Sequence, residues 1–303
     1  MDKTLTTGLD NISLELNFAS WLAEGGKDGK GRSESSIESY SSDVRQFVRW
    51  FEDEFSQSFD CSQISSRELR HYYDHCKAGH MSAATWNRRR VSLALFCQFL
   101  LAKGLVAFDP FQGVPVMVKD EVAPRSLNKS DYFKFMHAVD QAVNAAQTTR
   151  QRQLAIRNRA MIALMVGAGL RVGEVCALER VQLLLSDRKG AAKFVGKDNK
   201  QADQPLGREV RLALSQWLEM PSSSPVLFNG ITTRQAERIV SDLGRSVGLK
   251  LSCHALRHTY VYRMSERVNF ADLKQLARHS RADQTMRYAM PHREDLERAV
   301  EDL

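Results

Sequence analysis

Four short segments in the second half of the chain carry polar residues that a plain helical pattern does not ask for. "GAGLRVGEV" (167–175) turns an apolar run outward through glycines and sets Arg171 at the start of the next helix, with Glu174 one turn on. "KFVGKDNKQADQPL" (193–206) reads as a hairpin with Lys193, Lys197 and Lys200 near its turn. "SCHALRHTY" (252–260) puts His254 and Arg257 on one helix face, and "LARHSRADQTMRYAMP" (276–291) carries His279 and Tyr288. Each alone has a bland reading: a surface Arg–Glu pair worth a few tenths of a kcal/mol, a solvated turn, a structural histidine, an exposed aromatic. His258 is assigned to the structural histidines.

Together these residue types suit displacement at a phosphodiester. That reaction builds negative charge on the nonbridging oxygens and needs fixed cations, a nucleophile and an acid for the departing alkoxide. Two guanidiniums are planar, forked and permanently charged, which fits the oxygens. Tyrosine ionises near pH 10, well below an alkyl alcohol, and a cationic pocket eases its ionisation further. No carboxylate cluster for Mg²⁺ is evident, so the side chains would supply the cations and no cofactor is expected.

These residues need a scaffold. Helical periods over roughly 129–146 and 150–166 lead to a β segment within "VQLLLSDRKGAAKFVGKDNKQADQPLG". Helices are expected again near 208–219, 232–247, 254–268, 270–278, 281–289 and 292–303. Ser280 with Asp283 has the form of a capping box for the short helix bearing Tyr288. The first part of the chain holds four helical patterns, near 12–26, 36–55, 65–79 and 82–104. Arg88, Arg89 and Arg90 lie on the fourth, whose apolar positions Trp86, Leu93, Phe96 and Cys97 point elsewhere, and a DNA-facing role is expected for them. The proline-bearing stretch "VAFDPFQGVPVMVKDEVAPRSL" (106–127) has no helical period and places a boundary near residue 120. The expected layout is a helical domain over 12–110, a linker over 111–127, and a mostly helical domain with one small antiparallel sheet over 128–303.

Bulk properties agree with a nucleic-acid partner. The 303 residues are 43% hydrophobic and 26% charged, with a formal net charge of +7. Five scattered cysteines show neither a disulfide frame nor zinc-ligand spacing. The start lacks the order of a signal peptide, and the run "AMIALMVGAGL" (160–170) is too short to span a bilayer. A cytoplasmic protein is expected.

In order and spacing, "GLRVGE", "VGKDNK", "HALRH" and "ARHSRADQTMRYA" resemble the boxes of the tyrosine recombinase (phage integrase) family. The first domain is similar, more loosely, to the family's helical core-binding domain. The resemblance implies that Tyr288 attacks the scissile phosphate to give a 3′-phosphotyrosyl link and a free 5′-hydroxyl. Arg171 and Arg257 would clamp the nonbridging oxygens, with His279 alongside and Glu174 orienting its neighbours. Lys197 would protonate the leaving oxygen, with Lys200 the second candidate, and His254 would assist proton transfer from the tyrosine. It further implies duplex DNA with paired inverted-repeat core sites as substrate, the two domains closing as a C-shaped clamp on it. A protein monomeric in solution would assemble as a homotetramer on two sites, with accessory proteins possible. The tail stripe Leu296, Ala299, Val300 and Leu303 would pack on its own domain or on a neighbour. Two departures from the pattern are Arg278 and Asp198, where members usually carry glycine. The short segment before the first helices leaves no room for an arm-type DNA-binding domain, so a Xer-like or mobile-element enzyme is expected. A type IB topoisomerase and a catalytically silent DNA-binding relative are the rival readings.

Overall fold

The computed structural model describes residues 11–26, 28–118, 126–195, 201–278 and 281–289. The chain divides into two compact units, Met1–Glu121 and Val122–Leu303.

The first unit is helical throughout: α1 (Asn11–Ala23), α2 (Glu34–Phe55), α3 (Ser66–Ala78) and α4 (Ala83–Ala102), with a 3₁₀ turn at Cys61–Gln63 before α3. The amphipathic spacing of α2 buries Val44, Phe47, Trp50 and Phe51. A capping box between Ser65 and Glu68 starts α3, and the Ser82 hydroxyl accepts the Thr85 N–H to start α4. Such caps each contribute about 1 kcal/mol. The core is aromatic: Phe18, Phe47, Phe51, Tyr72, Trp86, Phe96 and Phe99 are all fully buried.

The stretch expected as a linker is partly core. Val114 and Met117 are buried in the first unit and Leu127 in the second. Prolines keep residues 114–117 out of a helix, and α4 satisfies their backbone instead. Trp86 Nε1 donates to the Pro115 carbonyl at 3.0 Å. The Asn87 amide pairs both ways with the Met117 backbone, at 2.7 and 3.1 Å. The strap is therefore stitched down, in accord with the rule that buried backbone groups find partners.

The second unit begins with α5 (Lys129–Asn144) and α6 (Thr149–Gly167). Residues Ala160 to Val166 of α6 are buried without a break, so the C-terminal half of this helix is central and apolar on every side, while its first half carries arginines and glutamines. After α7 (Val172–Ala177) and a 3₁₀ turn come β1 (Leu183–Leu185), β2 (Gly190–Val195) and β3 (Gln201–Pro205). They form one antiparallel sheet in the order β1-β2-β3, with Ala192 opposite Gln204 and Lys193 opposite Asp203. Among the described residues five helices follow: α8 (Arg208–Leu218), α9 (Thr233–Ser246), α10 (Cys253–Ser265), α11 (Phe270–Ala277) and α12 (Ala282–Ala289). The mainly helical fold with one small sheet is the architecture expected. The tail 292–303 and Ser280 lie outside the described residues. Among the described residues no helix is long and apolar enough to cross a membrane.

Candidate active site

The site is built where α6 ends. Gly169 adopts φ +66°, and a Cβ there would lie 2.2 Å from the Tyr260 ring, so only glycine permits this turn. The turn presents the Gly169 carbonyl to the interior and puts Arg171 at the N-terminal boundary of α7. Glu174, one turn on, accepts the Arg171 backbone N–H at 2.8 Å and the Arg171 Nη1 at 2.9 Å. The carboxylate thus caps its helix and moors the guanidinium at once.

Arg257, on α10, is 3% exposed. Its Nη1 donates to the Gly169 carbonyl and its Nη2 to the Ala277 carbonyl, which ties the ends of α6 and α11 to α10. No carboxylate takes part in those bonds. Burial, then the charges of Arg171 and Arg278, push the Arg257 pKa down to about 9.

Arg278 was seen in the sequence only as a departure from a pattern. It closes α11 in the left-handed region at φ 51°, a conformation glycine adopts more readily. Its Nη2 donates to Glu174 Oε2 at 2.8 Å and to the Gly169 carbonyl at 3.2 Å, and its guanidinium lies 4.7 Å over the Phe194 ring. Its Nε and Nη1 are buried and find no acceptor among the described residues. Glu174 is buried, which alone would raise its pKa. The Arg278 charge and the Arg171 bonds outweigh burial and hold it below the ordinary carboxylate range.

His254 lies on the exposed side of α10. Burial of its ring nitrogens, then Arg257 and Arg171, lower its pKa, with Glu237 opposing. Its ring meets His258 edge-on, with centroids 4.2 Å apart. His258, read in the sequence as a structural histidine, makes a hydrogen bond through its Nδ1 with the Tyr288 hydroxyl. The Tyr288 ring packs on a small core of Tyr260, Val261, Leu273 and Ala277, which seats α12 against α10 and α11. The structure therefore gathers Arg171 and Glu174 of α7 with His254 and Arg257 of α10, and seats Tyr288 against α10. Lys197, Lys200 and His279 lie outside the described residues. Among those described, no group of three or more His, Cys, Asp or Glu residues is gathered to hold a metal ion.

The three arginines of α4 do not form one DNA-facing surface. Consecutive helical residues are about 100° apart, so three in a row fan around the axis. Arg89 points inward, 9% exposed, donating to the Tyr72 hydroxyl at 2.7 Å and to the Gln46 amide oxygen, with Asp43 at 3.7 Å. Arg90 Nε donates to the Val114 carbonyl at 3.1 Å, and its guanidinium lies over the Phe111 ring at 5.1 Å. Arg88 stays half-exposed, with its Nη1 on Asp43 and on the Ser39 hydroxyl.

Comparison with known proteins gives these contacts their context. The phage integrase family matches residues 127–294, and the phage integrase N-terminal SAM-like domain matches 27–104. The chain belongs to the phage integrase family. It is a tyrosine recombinase, an enzyme that cuts and rejoins DNA. This integrase is 28% identical over 222 residues to the tyrosine recombinase XerC of Vibrio parahaemolyticus, covering 69% of this chain and 68% of that one. With XerC of Anoxybacillus flavithermus it shares 25% identity over 299 residues, or 92% and 94% of the two chains. Its fold is similar to XerH recombinase bound to palindromic difH substrate (TM-score 0.72, 18% identity, 99% of this chain and 90% of that one). A lambda integrase dimer bound to a COC′ core site is also similar (TM-score 0.70, 15% identity, 93% and 95%).

Proposed function

We propose that this integrase cuts DNA with Tyr288 as the nucleophile and holds the scissile phosphate on Arg171 and Arg257. One observation carries the reading. Three guanidiniums, Arg171, Arg257 and Arg278, surround a single carboxylate, Glu174. That cluster carries an excess of two positive charges in a largely buried place, and a phosphodiester anion compensates it. The charge is in place before the reaction, so no reorganisation is needed when negative charge grows on the nonbridging oxygens.

In this reading the Tyr288 oxygen attacks phosphorus, the bond to the 5′-oxygen breaks, and a 3′-phosphotyrosyl link remains. Lys197 protonates the leaving 5′-oxygen, with Lys200 as the alternative acid, and His279 bonds the phosphate beside the arginines. Resemblance alone supports these three assignments. Glu174 fixes the Arg171 fork, and His254 borders the arginines on α10. The phosphodiester energy is kept in the covalent link, so a 5′-hydroxyl from a partner strand can reverse the step and exchange strands through a four-way junction. The chemistry asks for neither metal nor cofactor.

The substrate in this reading is duplex DNA with paired inverted-repeat core sites, bound by four copies of a protein that is monomeric when free. It would act in the cytoplasm, in resolution of replicons or in movement of a genetic element. The +7 net charge supports a polyanionic partner.

Tyr288→Phe tests the nucleophile. On a nicked half-site DNA the wild type should leave an SDS-resistant adduct, and the variant should bind the DNA with similar affinity and leave none. An adduct of normal yield from the variant would remove the assignment. Recombination between two cognate sites then separates a recombinase from a topoisomerase, which only relaxes DNA.

A further inference from the structure

The phenol of Tyr288 must lose its proton as it attacks, and the structure places a different base against it from the one the sequence suggested. His254 and His258 are one turn apart on α10, and it is His258 Nδ1 that is hydrogen-bonded to the Tyr288 oxygen. The two rings lie with centroids 5.6 Å apart and planes 32° from parallel, so the imidazole edge meets the hydroxyl. Tyr288 is held there by apolar packing on Tyr260, Val261, Leu273 and Ala277, independently of the hydrogen bond. His254 meets the His258 ring edge-on at 4.2 Å, and the charges of Arg257 and Arg171 act on it.

We infer that His258 is a catalytic residue of this integrase, the base that takes the phenolic proton of Tyr288 during strand cleavage. The inference rests on Tyr288 being the nucleophile. In the step, the Tyr288 O–H bond breaks and its proton passes to His258 Nδ1. The Tyr288 oxygen bonds to phosphorus, the bond from phosphorus to the 5′-oxygen breaks, and that oxygen takes a proton from the acid on the leaving side, Lys197 in the reading above. Religation runs the same transfers backwards, with His258 returning its proton to the phenolate.

The chemistry favours His258 over its neighbour. Proton transfer from a phenol is best served by an acceptor within hydrogen-bond reach that is neutral at working pH, which imidazole is. Burial, then the charges of Arg257 and Arg171, lower the His254 pKa, and it is His258 that holds the hydrogen bond to the phenol. Those same charges stabilise the phenolate once the proton has left. The arrangement thus divides the work: the arginines hold anionic oxygens, and His258 handles the proton on the attacking side.

Single-turnover cleavage of nicked half-site DNA tests this with two leaving groups, the ordinary 5′-oxygen and a 5′-bridging sulfur. A thiolate leaves without a proton, so sulfur forgives loss of the leaving-side acid but not loss of the attacking-side base. His258→Asn keeps an amide oxygen that can accept a hydrogen bond but cannot take a proton. It should slow adduct formation about 10²- to 10⁴-fold on both DNAs, with DNA affinity kept. Lys197→Ala should be slow on the oxygen substrate alone. Wild-type rates from His258→Asn would overturn the inference, and so would a deficit that the sulfur substrate erases. Should His258→Asn melt early, His258→Ala with added imidazole takes its place. Recovery of adduct supports the assignment, and a folded, DNA-bound variant that imidazole leaves inert refutes it. An adduct from Tyr288→Phe would instead sink the nucleophile reading, which keeps the two failures apart.

Discussion

Arg89 and Arg257 are both interior arginines on long helices, yet they live in opposite electrostatic surroundings. Arg89 sits beside Asp43, itself 1% exposed, and also bonds a tyrosine hydroxyl and a glutamine amide. Asp43 in turn takes Arg88 and the Ser92 hydroxyl, the latter at 2.7 Å. Among the described residues Arg257 bonds two backbone carbonyls, and Glu174, the carboxylate whose charge acts on it, is already divided between Arg171 and Arg278. The first arrangement gives the buried guanidinium a buried carboxylate beside it. The second leaves charge open, which is what the proposed phosphate site requires of Arg257 and not of Arg89.

The comparison can be broken from the structural side first. Arg89→Met removes one of the two cations beside buried Asp43, leaving it Arg88 and the Ser92 hydroxyl, so unfolding free energy should fall by about 3 kcal/mol, read by urea denaturation. The fraction still folded should form the DNA adduct at close to the wild-type rate. A cleavage defect larger than the loss of folded protein would place Arg89 in function after all.

Arg257→Lys should reverse that pattern. Lysine keeps a charge but not the planar fork that spans the Gly169 and Ala277 carbonyls. Adduct formation should drop about 10²- to 10³-fold while the melting temperature moves little.

Arg278→Gly sharpens the comparison within the second unit. Glycine relieves the left-handed backbone at φ 51°, worth roughly 1–2 kcal/mol. That gain offsets the lost ion pair with Glu174, so stability should change by less than about 1 kcal/mol. Cleavage should slow about tenfold, because Glu174 then holds Arg171 without its second anchor. An unchanged rate would reduce Arg278 to a helix cap.

Much of this was legible in the sequence, and the misses have physical causes. The boundaries of α6 follow from its apolar run and from Thr148 and Gln151, which form the capping box at its start. The four polar segments stood out because each interrupts a helical pattern. Arg89 was misread although a signal was present: Arg89, Leu93, Phe96 and Leu100 fall at i, i+4, i+7 and i+11, one buried stripe. The run of three arginines drew attention to charge and away from that spacing. Arg278 carried its own signal, a residue with a Cβ where a helix end favours glycine. His258 carried none. Its role depends on where α12 lies against α10, a contact between residues thirty apart that no local pattern encodes.

The smallest expected effect concerns Arg88, which is built like Arg171. Each is a partly exposed guanidinium, 47% and 38%, fastened to a carboxylate that is itself nearly out of solvent. The carboxylate removes most of the side chain's rotational freedom while part of the guanidinium still faces water, which is how a phosphate contact is prepared cheaply in entropy. If Arg88 meets one backbone phosphate, Arg88→Ala should lower the magnitude of the slope of log K against log salt by about 0.9 and weaken all DNA sequences alike. Fluorescence anisotropy at several KCl concentrations measures both. An unchanged slope together with a lower melting temperature would assign Arg88 to the closed network of Asp43, and every arginine of the α4 run would then be structural.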